Sequence, residues 1–179
     1  MARKSTIICG FDPGLRVTGY GIIRVDHDYD FELLEAGVLR ADVNAPLARR
    51  LYELAGGAAE VLKEYKVNAV AVEQIYSHYQ RPRTAILMAH ARGVILLEAA
   101  RQGIDVLHLP ATTIKKHVTG NGRATKEQMQ RAVAQALSLA EMPEPPDVAD
   151  ALAIAMCASV VLRRPAKVAL NANDDLLTT

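Results

Sequence analysis

The chain has 179 residues, half of them hydrophobic, and a formal net charge of +1. That length predicts one domain able to bury a core, and the composition excludes a disordered chain. The near-neutral total excludes a globally basic nucleic-acid protein, although a local basic face remains compatible with it. No apolar run approaches the ~20 residues of a membrane span, and the apolar run behind the basic N-terminus is too short for a signal peptide, so the expectation is a cytoplasmic protein with no membrane partner. The only two cysteines, Cys9 and Cys157, sit among apolar residues and predict buried free thiols.

The first predicted strand, residues 6–12, is a short apolar run that ends on Asp12 and stops at Pro13-Gly14. Residues 17–26 and 31–40 read as two further strands, and the short connections predict an antiparallel meander. From Pro46 to Tyr65 the apolar period lengthens to that of a helix, through Leu47, Leu51, Leu54, Ala58, Val61 and Leu62. Residues 67–73 form the next strand, again closed by a carboxylate, Glu73. A long helix is expected from about Pro82 to Gln102, ended by Gly103, and then a fifth strand from Ile104 to Leu109. A short helix follows over residues 112–118. Thr125 and Gln128 have the spacing of a capping box for another helix. A proline-rich linker, residues 142–146, leads into a last helix over residues 147–163. Residues 1–164 read as one domain and residues 165–179 as a loose tail. The strand–helix–strand steps imply parallel neighbours with right-handed crossovers, hence a mixed α/β domain.

Asp12 closes a buried strand, and an unpaired carboxylate there is costly. A cation is the economical justification. Asp12 and Glu73 end strands that can lie side by side in parallel, so their carboxylates meet at one edge of the sheet. Asp147 and Asp150 share a helix face at i, i+3 spacing, and both are expected in the first helical turn, where the dipole favours the ionised form. Their helix is apolar all round through residues 151–156, so it must pack against the sheet and carry the pair to the strand ends. Taken singly, Asp147 and Asp150 are equally well read as helix-start residues and Glu73 as a solvated strand end. Together the four suit two hard divalent cations and phosphoryl transfer.

The segments Phe11-Asp12-Pro13-Gly14-Leu15-Arg16-Val17-Thr18-Gly19-Tyr20-Gly21, Val72-Glu73-Gln74-Ile75-Tyr76 and Asp147-Val148-Ala149-Asp150-Ala151-Leu152-Ala153-Ile154-Ala155 resemble, in order, the motifs of the RuvC family of crossover (Holliday) junction endonucleases. The likeness runs from about residue 7 to residue 160. It implies a ribonuclease-H-like fold, a five-stranded mixed sheet flanked by helices. It implies paired symmetric nicking of four-way DNA junctions in recombination and repair, leaving 5′-phosphate and 3′-hydroxyl ends. It further implies Asp12, Glu73, Asp147 and Asp150 as catalytic ligands of two Mg²⁺ ions, with Mn²⁺ as a substitute. The implied partners are a second copy of the chain and a junction-migrating helicase complex, RuvA- and RuvB-like.

Between Lys115 and Arg131 five Lys or Arg face one Glu. Lys115 and Lys126 match basic positions near the family's active site, and Lys116 and Arg123 are further candidates for phosphate contacts. A solvated helix face is the alternative. Tyr76 follows Glu73 in a loop that also holds Arg81 and Arg83, and an aromatic there can stack on an unpaired base. A half-buried loop tyrosine is the alternative. The helix over residues 84–100 is apolar on more than one face, which fits either a dimer contact or deep burial. Rival activities are cleavage of an RNA–DNA hybrid and non-catalytic junction binding.

Overall fold

The computed structural model of the chain describes residues 5–26, 30–75 and 82–163. Tyr76, Arg81 and the expected tail, residues 165–179, lie outside them. The strands are β1 (Thr6–Asp12), β2 (Val17–Val25), β3 (Phe31–Arg40), β4 (Ala69–Glu73) and β5 (Asp105–Leu109). The helices are α1 (Leu47–Glu64), α2 (Pro82–Arg101), α3 (Ala111–Thr119), α4 (Lys126–Ala136) and α5 (Pro146–Leu162). The expected elements are all present. β4 starts at Ala69, two residues later than its apolar pattern, because Asn68 pairs with β1 partly through its side chain: Ile7 N–H donates to Asn68 Oδ1 at 2.8 Å.

The sheet order is β3-β2-β1-β4-β5. β1, β2 and β3 form the antiparallel meander, and β4 and β5 add in parallel beside β1. This mixed sheet is ribonuclease-H-like, as the resemblance implies. Alternation along each strand divides the core. Ile8, Ala69, Ala71 and Leu107 pack towards α3, α4 and α5. Cys9, Phe11, Val70 and Val72 pack towards α1 and α2. Both cysteines are buried, and neither forms a disulfide among the described residues.

Helix α5 is the central helix. Eleven of its 17 residues are buried, which leaves almost no solvent face. Burial of Leu152, Ile154 and Met156 contributes about 1.5–3 kcal/mol each. It lies on bare backbone. A Cβ at Gly10 would fall 2.2 Å from the Ala151 carbonyl oxygen, and one at Gly21 would fall 2.6 Å from Leu152 Cδ2. Glycine at these strand positions therefore lets the helix settle onto the sheet. Before α5, the buried Gln130 amide donates to the Pro143 carbonyl and to Glu144 Oε1, both at 3.2 Å, and so ties the proline-rich linker to α4.

The expectation for α2 resolves in favour of partial exposure. Its buried residues are Ala91, Ile95, Glu98 and Ala99, whereas Ile86 and Leu97 are 56% and 49% exposed. Deep burial is thus excluded.

Candidate active site

Parallel pairing of β1 with β4 places Phe11 opposite Val72, so Asp12 and Glu73 leave the sheet as neighbours. Period-two alternation sets Asp12 on the face of Ile8 and Gly10, and Glu73 on the face of Ala69 and Ala71. That is the face covered by α5. The turn after Asp12 is stapled by Thr18, a fully buried residue. Its hydroxyl donates to the Gly14 carbonyl at 2.7 Å and accepts from the Gly14 N–H at 3.2 Å. The Asp-Pro-Gly turn is therefore held closed by the strand that follows it, β2.

Asp147 lies in the first turn of α5, against Gly19 of β2. Asp150 departs from expectation. With Pro146 as the first residue of α5, Asp150 falls in the second turn, where backbone N–H groups are already bonded within the helix. Free N–H groups at the helix start favour Asp147 only.

The electrostatics tie the carboxylates into one cluster. Asp12 is pushed up to about 7, first by burial and then by repulsion from Asp150, Glu73 and Asp147, with Lys126 opposing. Glu73 is also raised, by burial and Asp150, against the pull of Lys115 and Lys126. Asp150 is raised chiefly by burial, and there Lys126 and Lys115 oppose Asp147. Lys126 Nζ stands 3.8 Å from Asp150 Oδ2, a charge contact longer than a hydrogen bond.

Among the described residues, no three carboxylate, imidazole or thiolate groups converge closely enough to enclose an ion by themselves. The four acids therefore form an open cluster and not a closed cage. Repulsion among the acids adds to burial in raising Asp12. The donor set nevertheless fits divalent cations. All four groups offer hard oxygen ligands, and Mg²⁺ takes only one or two carboxylates, completing its shell with water and phosphate oxygen.

The basic candidates separate. Lys115 and Lys126 act on the carboxylates, whereas Lys116 lines a different groove with Thr112, His117 and Cys157. Arg83 and Arg123 are exposed, and neither is among the charges that shift the cluster. Sequence reasoning missed Arg16, Arg40 and Arg50, which line a groove running from Asp12 and Asp147 towards α1 and α2. They come from three separate elements, so no local spacing marked them.

The family model for the crossover junction endodeoxyribonuclease RuvC matches residues 8–158. The chain belongs to the RuvC family. It is 48% identical to the crossover junction endodeoxyribonuclease RuvC of Rhodopirellula baltica over 93% of both chains. It is 40% identical to that of Desulforamulus reducens over 84% of this chain and 91% of the other. Among solved structures it is similar to Thermus thermophilus RuvC in complex with a Holliday junction substrate, at a TM-score of 0.82 and 30% identity, covering 88% of this chain and 95% of that one. The yeast mitochondrial Holliday junction resolvase Ydc2 shares the fold at a TM-score of 0.59 and 12% identity, covering 85% of this chain and 78% of that one. In RuvC-family terms, the carboxylates described above stand at the edge of the sheet where β1, β4 and the start of α5 meet.

Proposed function

We propose that this RuvC-family protein is a structure-selective endonuclease that resolves four-way DNA junctions by paired symmetric nicks, with Asp12, Glu73, Asp147 and Asp150 as its catalytic carboxylates. The observation that carries the assignment is geometric: the β1–β4 register sets Asp12 beside Glu73, and α5 seats Asp147 and Asp150 at the same sheet edge, close enough that all three add to burial in raising Asp12. A cluster so overloaded with negative charge repels DNA unless cations neutralise it, which argues against a purely binding role. The family's activity on crossover junctions supports the substrate.

Asp12, Glu73, Asp147 and Asp150 would hold two Mg²⁺ ions, or Mn²⁺ in their place, which would supply Lewis-acid activation of water and stabilisation of the leaving oxygen. The protein's own groups do the positioning. β1 and β4 fix Asp12 and Glu73 side by side, and α5 brings Asp147 and Asp150 against them. Lys115 and Lys126 offset the cluster's charge and stand ready as point charges for the phosphates that flank the cut. Hydrolysis in the manner the family resemblance implies leaves 5′-phosphate and 3′-hydroxyl ends, which a ligase can reseal.

A homodimer matches the near two-fold symmetry of the junction. The exposed line Ile86, Ala89, His90, Gly93 and Leu97 on α2 supports it, because it joins apolar side chains to small residues that admit a second helix. A Cβ at Gly93 would meet nothing within 4 Å. Partnership with a RuvA- and RuvB-like helicase complex follows from the family resemblance. Among the described residues no helix is long and apolar enough to cross a membrane.

The test is nicking of a synthetic four-way junction in Mg²⁺ by the wild type and by Asp12→Asn, with binding measured in parallel. We expect binding retained and cutting reduced by about 10³-fold or more. Cutting that persists in the variant removes Asp12 from the site. An RNA–DNA hybrid cut faster than the junction would favour a different nuclease specificity.

A further inference from the structure

The carboxylate cluster has two sets of cations, on opposite sides of the sheet. Lys115 and Lys126 belong to the layer of α3 and α4 and pull directly on Glu73 and Asp150. The second set is Arg16, Arg40 and Arg50, on the side of α1 and α2. They line a groove of about 550 Å³ that begins at Asp12 and Asp147 and continues between the Pro13–Val17 turn, the end of β3 and the start of α2. The register of β2 with β3 puts Arg40 opposite Val17, beside Arg16. None of the three guanidinium groups is among the charges that set the proton affinity of Asp12, so they stand back from the carboxylates.

These arginines differ from four others in the chain. Arg24, Arg49, Arg101 and Arg131 each pair with a glutamate. Among the described residues Arg16, Arg40 and Arg50 form no such pair. Arg50 is half-buried and anchored, with Nη2 donating to the Leu15 carbonyl at 3.2 Å and its Nε buried without an acceptor among the described residues. Holding a guanidinium in that state is costly, and an oxyanion alongside it would offset the cost. Guanidinium forks match phosphate oxygens in geometry and charge.

We propose that the Arg16–Arg40–Arg50 groove binds backbone phosphate of the cleaved DNA strand, on the side of the scissile bond opposite the phosphates held by Lys115 and Lys126. The strand then crosses the sheet edge at the carboxylates and is gripped in both layers. The inference rests on the carboxylate assignment above, but its own readout is binding without cleavage.

The experiment measures junction binding in EDTA, where no cutting occurs, across a salt series. The variants are Arg16→Gln, Arg40→Gln and the double variant, all at exposed positions. Lys63→Gln is the charge-matched control, because Lys63 lies thirteen residues along α1 from Arg50, roughly 20 Å away. Arg50 is left intact because it holds the Leu15 carbonyl. We expect each arginine variant to weaken binding by about three- to tenfold at 0.1 M salt, and the double variant to reduce the salt slope by about one to two. Replacing single phosphates beside the cut with neutral methylphosphonate should weaken wild-type binding at one side, and the same replacement should leave the double variant unchanged. Arginine variants that match Lys63→Gln in affinity and slope would overturn the proposal. Failure of the carboxylate assignment shows separately, as Mg²⁺-dependent cutting by Asp12→Asn.

Discussion

Asp147 rests on the bare Cα of Gly19. A Cβ there would fall 2.1 Å from the Asp147 carbonyl oxygen. The glycine spacing in Thr18-Gly19-Tyr20-Gly21 is thus a packing device, because it brings the start of α5 down onto β2 and sets two of the four carboxylates against the other two.

Gly10→Ala and Gly19→Ala should therefore damage both stability and activity. Each places a methyl group against helix backbone, which cannot move aside as a flexible side chain can. We expect a loss of about 2–3 kcal/mol, seen as a fall of roughly 4–12 °C in the thermal midpoint. Gly93→Ala, which meets nothing within 4 Å in one protomer, should instead raise the midpoint of a monomeric variant by roughly 2–4 °C, from about 1 kcal/mol of helix propensity.

The raised proton affinity of Asp12 makes metal-free stability depend on pH. Burial and the neighbouring acids move proton uptake by this carboxyl from about 3.8 in the unfolded chain to about 7 in the fold, so between these values the native state binds more protons than the unfolded one. Stability is then highest below about pH 4 for this group and is lost as pH rises through 7. At pH 8 in EDTA, Asp12→Asn should be more stable than the wild type by about 1–2 kcal/mol after allowance for solvent screening. Added Mg²⁺ should stabilise the wild type and close the gap. Thermal unfolding at pH 5 and pH 8, with and without Mg²⁺, measures all three.

Lys115 and Lys116 are adjacent in sequence and diverge in space. Lys115 pulls on Glu73 and Asp150, whereas Lys116 lines the groove beside Cys157. Lys115→Gln should slow nicking by about ten- to a hundredfold, the equivalent of one charge-assisted contact. Lys116→Gln should change it less than about threefold. Equal losses would mean that the whole basic run acts as a diffuse field.

Leu97→Glu on the exposed line of α2 should convert a dimer into monomers, read by sedimentation. Binding of a single duplex arm should persist, while paired cutting of the two opposed strands should be replaced by single nicks. A variant that remains dimeric would place the contact elsewhere.

Much of this protein is written locally. Apolar periods locate the strands and helices, the Thr125–Gln128 capping box forms as spaced, and Asp12, Glu73, Asp147 and Asp150 stand out because a carboxylate at the end of an apolar segment needs a reason. Local pattern failed where a neighbour in space decides. Asn68 joins β1 through its side chain and delays β4. Asp150 sits one turn deeper than a reading from the aspartates alone places it, because Pro146 already occupies the first helical position.

The sequence by itself determined the elements, the family motifs and the four acids. Only the tertiary structure decided which face each residue joins: that Asp150 sits a turn inside α5, that Lys115 turns inward and Lys116 away, and that three arginines from a turn, a strand and a helix share one groove. The reason is physical. Periodicity is a property of consecutive residues, whereas register and helix-on-sheet contact are set by long-range packing, here by a helix settling onto strand positions that carry no side chain.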